Sequence, residues 1–123
     1  MFTNLLLVGL GGGIGSIARY LCQRWFADVY THSFPWGTFA VNITGCFLIG
    51  IFWGISFRGF DNNEQWKLLL MTGLCGGFTT FSAYSLEGIG LLREQKFALF
   101  FTYIAASVLL GLLATYAGMK LTR

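Results

Sequence analysis

GLCGGFTTFSAYS, Gly73 to Ser85, lies inside an apolar run, Trp66 to Leu92, that would otherwise make one unbroken helix. As a straight helix that run would measure about 40 Å at about 1.5 Å per residue, longer than a hydrocarbon layer of about 30 Å. Gly76 and Gly77 are poor helix formers, and Phe78, Thr79, Thr80 and Phe81 are less helix-prone than leucine or alanine. The stretch therefore predicts a broken helix. A break frees backbone carbonyls and amides at mid-membrane depth, where they are tolerated only if they face protein, water or an ion. Two carbonyls from one chain cannot enclose a cation, whereas two chains related by a two-fold axis through the break would offer four. The competing reading is a glycine-lined packing point in a continuous helix; both stay open on these residues alone.

The surrounding composition sets the solvent. A chain of 123 residues has the length of one domain, but 55% hydrophobic and 18% aromatic content exceed what a soluble core of that size needs. Four apolar stretches, about 5–26, 36–57, 66–92 and 97–119, are each long enough to cross a bilayer. The expectation is an all-α integral membrane protein with a single four-span domain over residues 1–123. Turn residues mark the short connections: DVYTHSFP around Pro35, RGFDNNEQ, and REQK at Arg93 to Lys96. The first stretch lacks a basic leader and a small-residue cleavage site, so it is expected to stay as a span. Cys22, Cys46 and Cys75 lie in apolar segments without paired spacing, which favours packing over a disulfide framework or a zinc site.

LLLVGLGGGIGSIARY offers Gly13, Gly15 and Ala18 as a G-x-G-x-x-A fit, but a dinucleotide fold needs alternating strands and helices and an acidic residue about 20 positions on. The apolar run instead continues to Phe26. No enzyme is expected. In a membrane helix, Gly9 with Gly13 and Gly11 with Gly15 are small-xxx-small pairs that admit a neighbouring backbone. The basic residues do not choose an orientation: Arg58, Lys67, Lys120 and Arg123 fall on one side, and Arg24, Arg93, Lys96 and an outward-reaching Arg19 on the other. Four against four gives weak grounds for one topology, so insertion both ways up, and an in-plane two-fold axis, become feasible. The net charge of +3 is too small to suggest nucleic-acid binding.

Polar groups within spans cost free energy unless satisfied and so are the functional candidates. Asn42 sits about two turns into the second span with Thr38 one turn before it on the same face. It either ties two helices together or serves a path. In the fourth span Tyr103, Ser107, Gly111 and Thr115 recur at steps of four and share a face, although each hydroxyl could bond the carbonyl one turn back. Phe81 and Tyr84, three apart, are neighbours on one helix face. Ring edges are positive and favour an anion; packing is the plainer role. Glu87, one turn beyond Tyr84, is an interface residue or a gate carboxylate, and Arg19 either reaches headgroups or draws anions to a vestibule.

GLCGGFTTFSAYS, together with WGTFAVN at 36–42 and GGGIGSIARY at 11–20, resembles the Fluc or CrcB family of fluoride channels across essentially the whole chain. The resemblance implies an antiparallel, dual-topology homodimer of four-helix subunits in the bacterial inner membrane. Two pores would pass fluoride passively out of the cytoplasm and so confer fluoride resistance. It also implies a structural sodium ion held by backbone carbonyls of Gly76 and Thr79 from each subunit. Asn42 and Phe81 match the family's pore asparagine and first pore phenylalanine; Tyr103, Ser107 and Ser82 match its polar track, with Thr80 counted in the fluoride pathway. Arg19 matches the basic residue of its first span, and Arg19 and Glu87 are the candidates for a vestibule or gate. Two positions depart: Tyr84 stands for a second phenylalanine and Gly111 for a serine. The tyrosine keeps a ring edge and adds a hydroxyl able to donate to fluoride. Two alternatives remain: a proton-coupled antiporter like the small multidrug resistance family, for which the first span lacks a carboxylate, and a non-transporting membrane scaffold.

Overall fold

The computed structural model describes residues 1–29, 34–56 and 64–122. Parts of the first two connections, the end of the second stretch at Phe57, and Arg58 and Arg123 of the charge tally lie outside the described residues. The chain is all-helical. α1 (Phe2–Val29) and α2 (Trp36–Ile55) are followed by α3, a helix in three pieces: an α-helical Glu64–Lys67, a π-helical Leu68–Cys75 and an α-helical Gly76–Phe78. α4 (Phe81–Arg93) and α5 (Phe97–Thr122) complete the order. α1, α2 and α5 are long and apolar enough to cross a membrane. α4 has 13 residues, about 20 Å of helix, too short to cross alone.

The break falls at Thr79 and Thr80, inside the stretch the sequence marked, while Gly76 and Gly77 themselves stay helical. Both threonines are extended, at φ −84°, ψ 157° and φ −150°, ψ 122°. Their branched Cβ atoms suit extended backbone. Thr80 then caps α4: its hydroxyl accepts from the Ala83 N–H at 3.2 Å, satisfying one of the amides that a new helix leaves unpaired. α4 ends with Gln95 at φ 60°, its N–H donating to Leu92 and that of Lys96 to Leu91, at 3.0 and 2.9 Å. That paired closure turns the chain sharply into α5.

The glycines are used for approach rather than for breaking. A side chain at Gly11 would meet the Leu74 nitrogen at 2.9 Å, one at Gly15 the Phe78 nitrogen at 2.8 Å, and one at Gly77 the Gly12 Cα at 3.0 Å. α1 and α3 thus touch backbone to backbone. Gly50 and Gly118 do the same between α2 and α5, the most extensively packed pair. The expected pairing of Gly9 with Gly13 is not used within the chain: both face open space, because the stripe that meets α3 runs through Gly11 and Gly15. Large apolar side chains remain exposed along α1 and α5, among them Leu6, Leu10, Ile17, Leu109 and Leu112. Such long apolar faces belong in lipid, and the chain is a multi-pass membrane protein.

Candidate functional site

The extended break would leave Thr80 with an unpaired N–H and C=O in a medium without water. Asn42 of α2 supplies both partners. Its Nδ2 donates to the Thr80 carbonyl at 3.0 Å and its Oδ1 accepts from the Thr80 N–H at 2.8 Å. A carboxamide paired face to face with one peptide mimics a strand partner, and it leaves the second Nδ2 hydrogen free, since an amide nitrogen carries two. Asn42 therefore does tie two helices, at the point where the backbone most needs it.

The same exchange alters α3. In a continuous helix the Gly76 carbonyl would accept from the Thr80 N–H; here that donor is turned onto Asn42, so the Gly76 oxygen loses it. The Cys75 carbonyl takes both the Thr79 N–H at 3.0 Å and the Thr79 hydroxyl at 2.9 Å. The Gly77 carbonyl accepts from Arg19 Nε at 3.0 Å. A guanidinium on the last turn of α3 offsets the partial negative charge that aligned peptides leave there. Arg19 is thus committed to the broken helix and lines neither of the cavities described here.

Beside the break lies an open cleft of about 460 Å³ whose walls include Asn42, Gly76, Thr79, Thr80, Phe81, Tyr84 and Ser107. Most of the residues singled out in the sequence meet there. Phe81 projects outward, 78% exposed, with its ring 5.6 Å from that of Tyr84. Tyr103, 0% exposed, stands behind with its ring 5.1 Å from Tyr84. The Tyr84 hydroxyl donates to the Ile104 carbonyl at 3.2 Å, so its ring rather than its hydroxyl is what it offers the cleft. Ser82 is exposed, shares a hydrogen bond of 3.2 Å with Thr80, and is not among the cleft's walls. Glu87 belongs to a separate cavity of about 820 Å³, where its Oε1 accepts from the Thr38 hydroxyl and Thr38 in turn accepts from Gln23. Gln23 was missed in the sequence, although a polar side chain inside the first apolar stretch was the available signal.

The row on α5 turns inward. Thr115 donates to the Cys46 carbonyl at 3.0 Å, and Tyr103 and Gly111 are buried. The Tyr103 and Ser107 hydroxyl oxygens are buried without any hydrogen-bond partner among the described residues. Buried hydroxyls without partners cost about 1–3 kcal/mol each; of these two, Ser107 is on the wall of the cleft and Tyr103 packs behind it against Tyr84. Chemically, then, the break places carbonyl oxygens at the end of α3 and the amide-rich start of α4 next to each other. The first suits a cation and the second an anion. Among the described residues no group of three or more His, Cys, Asp or Glu gathers to hold a metal, so a cation at this place would depend on carbonyl oxygens.

The family model described as CrcB-like protein, Camphor Resistance (CrcB), matches residues 6–119. The chain belongs to the CrcB-like family. Among curated relatives of this CrcB-like chain, one from Phocaeicola vulgatus is 51% identical over 116 residues, covering 94% of this chain and 95% of the relative. Another, from Leptospira interrogans serovar copenhageni, is 48% identical over 116 residues, covering 94% and 91%. A third, from Flavobacterium psychrophilum, is 43% identical over 120 residues, covering 98% and 97%. All three bear the name fluoride-specific ion channel FluC. The CrcB-like chain is not an enzyme.

Proposed function

We propose that this chain is a passive fluoride channel whose anion path runs through the cleft bounded by Asn42, Phe81, Tyr84 and Ser107, with Tyr103 behind it. The observation that carries the reading is the buried, unpartnered hydroxyl of Ser107 on the wall of that cleft, with the likewise unpartnered Tyr103 packed behind the Tyr84 ring. Fluoride is small and strongly hydrated, so a site that strips its water must return donors of comparable strength. Two hydroxyls, the spare Nδ2 hydrogen of Asn42 and the edges of the Phe81 and Tyr84 rings are such donors, and none carries a fixed positive charge that would trap the ion. Thr80 and Ser82 extend the hydroxyl line from the break. The names of the relatives point the same way.

The finer architecture follows from the same reading. Residues 1–123 form one four-span domain in which α3 and α4 together make the third crossing. The working unit is an antiparallel homodimer in the bacterial inner membrane, with two pores that let fluoride leave the cytoplasm. Supporting the dimer are the near-even basic residues, four against three once Arg19 is committed to Gly77, and the exposed Phe81, which on one chain has nothing to complete the path. A sodium ion at the dimer centre fits the residues present: the Gly76 carbonyl has lost its helical donor, and Thr79 is extended. Their carbonyls would hold the ion, which would supply the positive charge that draws two broken helices together.

Purified protein in fluoride-loaded liposomes tests the reading. Fast electrogenic fluoride efflux is expected, with little chloride efflux and no need for a proton gradient; a proton-gradient requirement would favour the antiporter, and no flux from folded protein the scaffold. Phe81→Ile should lower fluoride efflux about tenfold, the loss of roughly one ring-edge contact. Because Phe81 is exposed on the single chain, its thermal stability should hardly move; equal flux would take the ring out of the path.

A further inference from the structure

The larger cavity contains a relay of three polar side chains from three helices. Gln23 on α1 donates from Nε2 to the Thr38 hydroxyl of α2 at 2.9 Å, and that hydroxyl donates to Glu87 Oε1 of α4 at 2.5 Å. A threonine hydroxyl has one proton, and an ionised carboxylate only accepts. With Glu87 ionised, the proton between Thr38 and Glu87 is threonine's own. Thr38 can then only accept from Gln23, which fixes the amide with its nitrogen, and not its oxygen, toward the hydroxyl. The backbone holds the arrangement in place. A side chain at Gly37 would meet Gln23 Cα at 3.2 Å and Cγ at 3.5 Å, so the bare glycine is what lets α1 bring the amide to the neighbouring Thr38. The other charged groups lining this cavity, Glu94 and Lys96, pair with each other at 3.0 Å. Among the described residues Glu87 has no basic partner, and the hydroxyl is its one hydrogen-bond donor.

We propose that Gln23 is a positioning residue for conduction: by occupying the acceptor site of Thr38 it commits that hydroxyl's proton to Glu87 and holds the carboxylate against α2. The proposal rests on the fluoride-channel reading. Tyr103 stands between the two spaces, its ring 5.4 Å from that of Phe34 on the larger cavity and 5.1 Å from that of Tyr84 on the cleft, so a carboxylate released from Thr38 would bring its negative charge toward a residue of the anion path. Each bond in such a chain also strengthens the next, because the hydroxyl that accepts from Gln23 becomes a better donor to Glu87. Gln23 thereby acts on fluoride without touching it.

Two variants separate positioning from space filling. Gln23→Met keeps the length without polar atoms, and Gln23→Glu keeps the shape but has no N–H to give. Both should lower fluoride efflux about 2- to 10-fold, the usual consequence of losing one intramolecular hydrogen bond. In a Thr38→Val background, where there is no hydroxyl left to orient, Gln23→Met should cause no further loss. Wild-type efflux in Gln23→Glu, or a Gln23→Met defect that persists in full beside Thr38→Val, overturns the proposal. Should the unmutated protein pass no fluoride, the channel reading fails by itself. The positioning role is then judged by infrared spectra of glutamate-labelled protein, with the Glu87 carboxylate band assigned by its loss in Glu87→Gln. That band is expected to shift in Gln23→Met, and an unmoved band rejects the role.

Discussion

Asn42→Asp is expected to reduce fluoride efflux from liposomes about 100-fold while the protein still purifies as an assembled species. The substitution is nearly isosteric, so the effect comes from chemistry alone. Aspartate keeps an oxygen that can accept the Thr80 N–H, but in place of Nδ2 it sets a second oxygen against the Thr80 carbonyl. The free amide hydrogen offered to the anion is lost with it, and a negative charge takes its place. A carboxylate at the centre of a membrane helix costs about 2.5–3.5 kcal/mol on insertion scales. At about 1.4 kcal/mol per tenfold, a barrier of that order accounts for the two decades. Efflux followed with a fluoride electrode, beside size-exclusion profiles of both proteins, decides the matter. An undiminished rate would leave Asn42 as a clamp on the break and nothing more.

Gly15→Val should prevent the chain from folding at all. The added carbons would be driven into the Leu74 carbonyl and the Phe78 nitrogen, and neither is the movable end of a side chain. Overpacking ordinarily costs about 1–3 kcal/mol because side chains give way; here only the separation of α1 from α3 relieves it. That separation also carries Arg19 away from Gly77 and uncovers the break. Gly9→Val and Gly13→Val are the controls, since nothing lies within 4 Å of the Cβ at either position. The yield of monodisperse, detergent-solubilised protein is the measure. A folded Gly15→Val chain with an unchanged melting temperature would mean that the two helices do not approach as closely as described.

How much of this was legible beforehand depends on whether the signal was local. Hydropathy announced helices in a membrane because burial in lipid is a property of each segment by itself. The interruption of the third segment was legible from composition, but the choice of residues was not. Gly76 and Gly77 drew attention as helix breakers, yet the packing of Gly77 on Gly12 rewards helical winding there, and the turn to extended backbone passes to Thr79 and Thr80. The eight-residue π-helical piece before them had no sequence signature, since it depends on how α1 seats against α3. Spacing correctly suggested that Tyr103, Ser107, Gly111 and Thr115 share a face. Which of those hydroxyls would find an acceptor depends on α2, which supplies one to Thr115 through Cys46 and none to Ser107. Arg19 was ambiguous for the same reason: its partner is a carbonyl that becomes available only when another helix is interrupted nearby.

One small complementarity in this arrangement reaches further. The methyl of Thr79 fills the space left by the missing side chain of Gly45 on α2, so the hollow in one helix is shaped by a single group on another. Drift at these two positions is consequently coupled: a methyl gained at 45 has room once the methyl at 79 is gone, and serine at 79 gives it up while retaining the hydroxyl that Cys75 accepts. The break between α3 and α4 is in this sense written at two distant places in the chain, and inheritance must edit them as a pair.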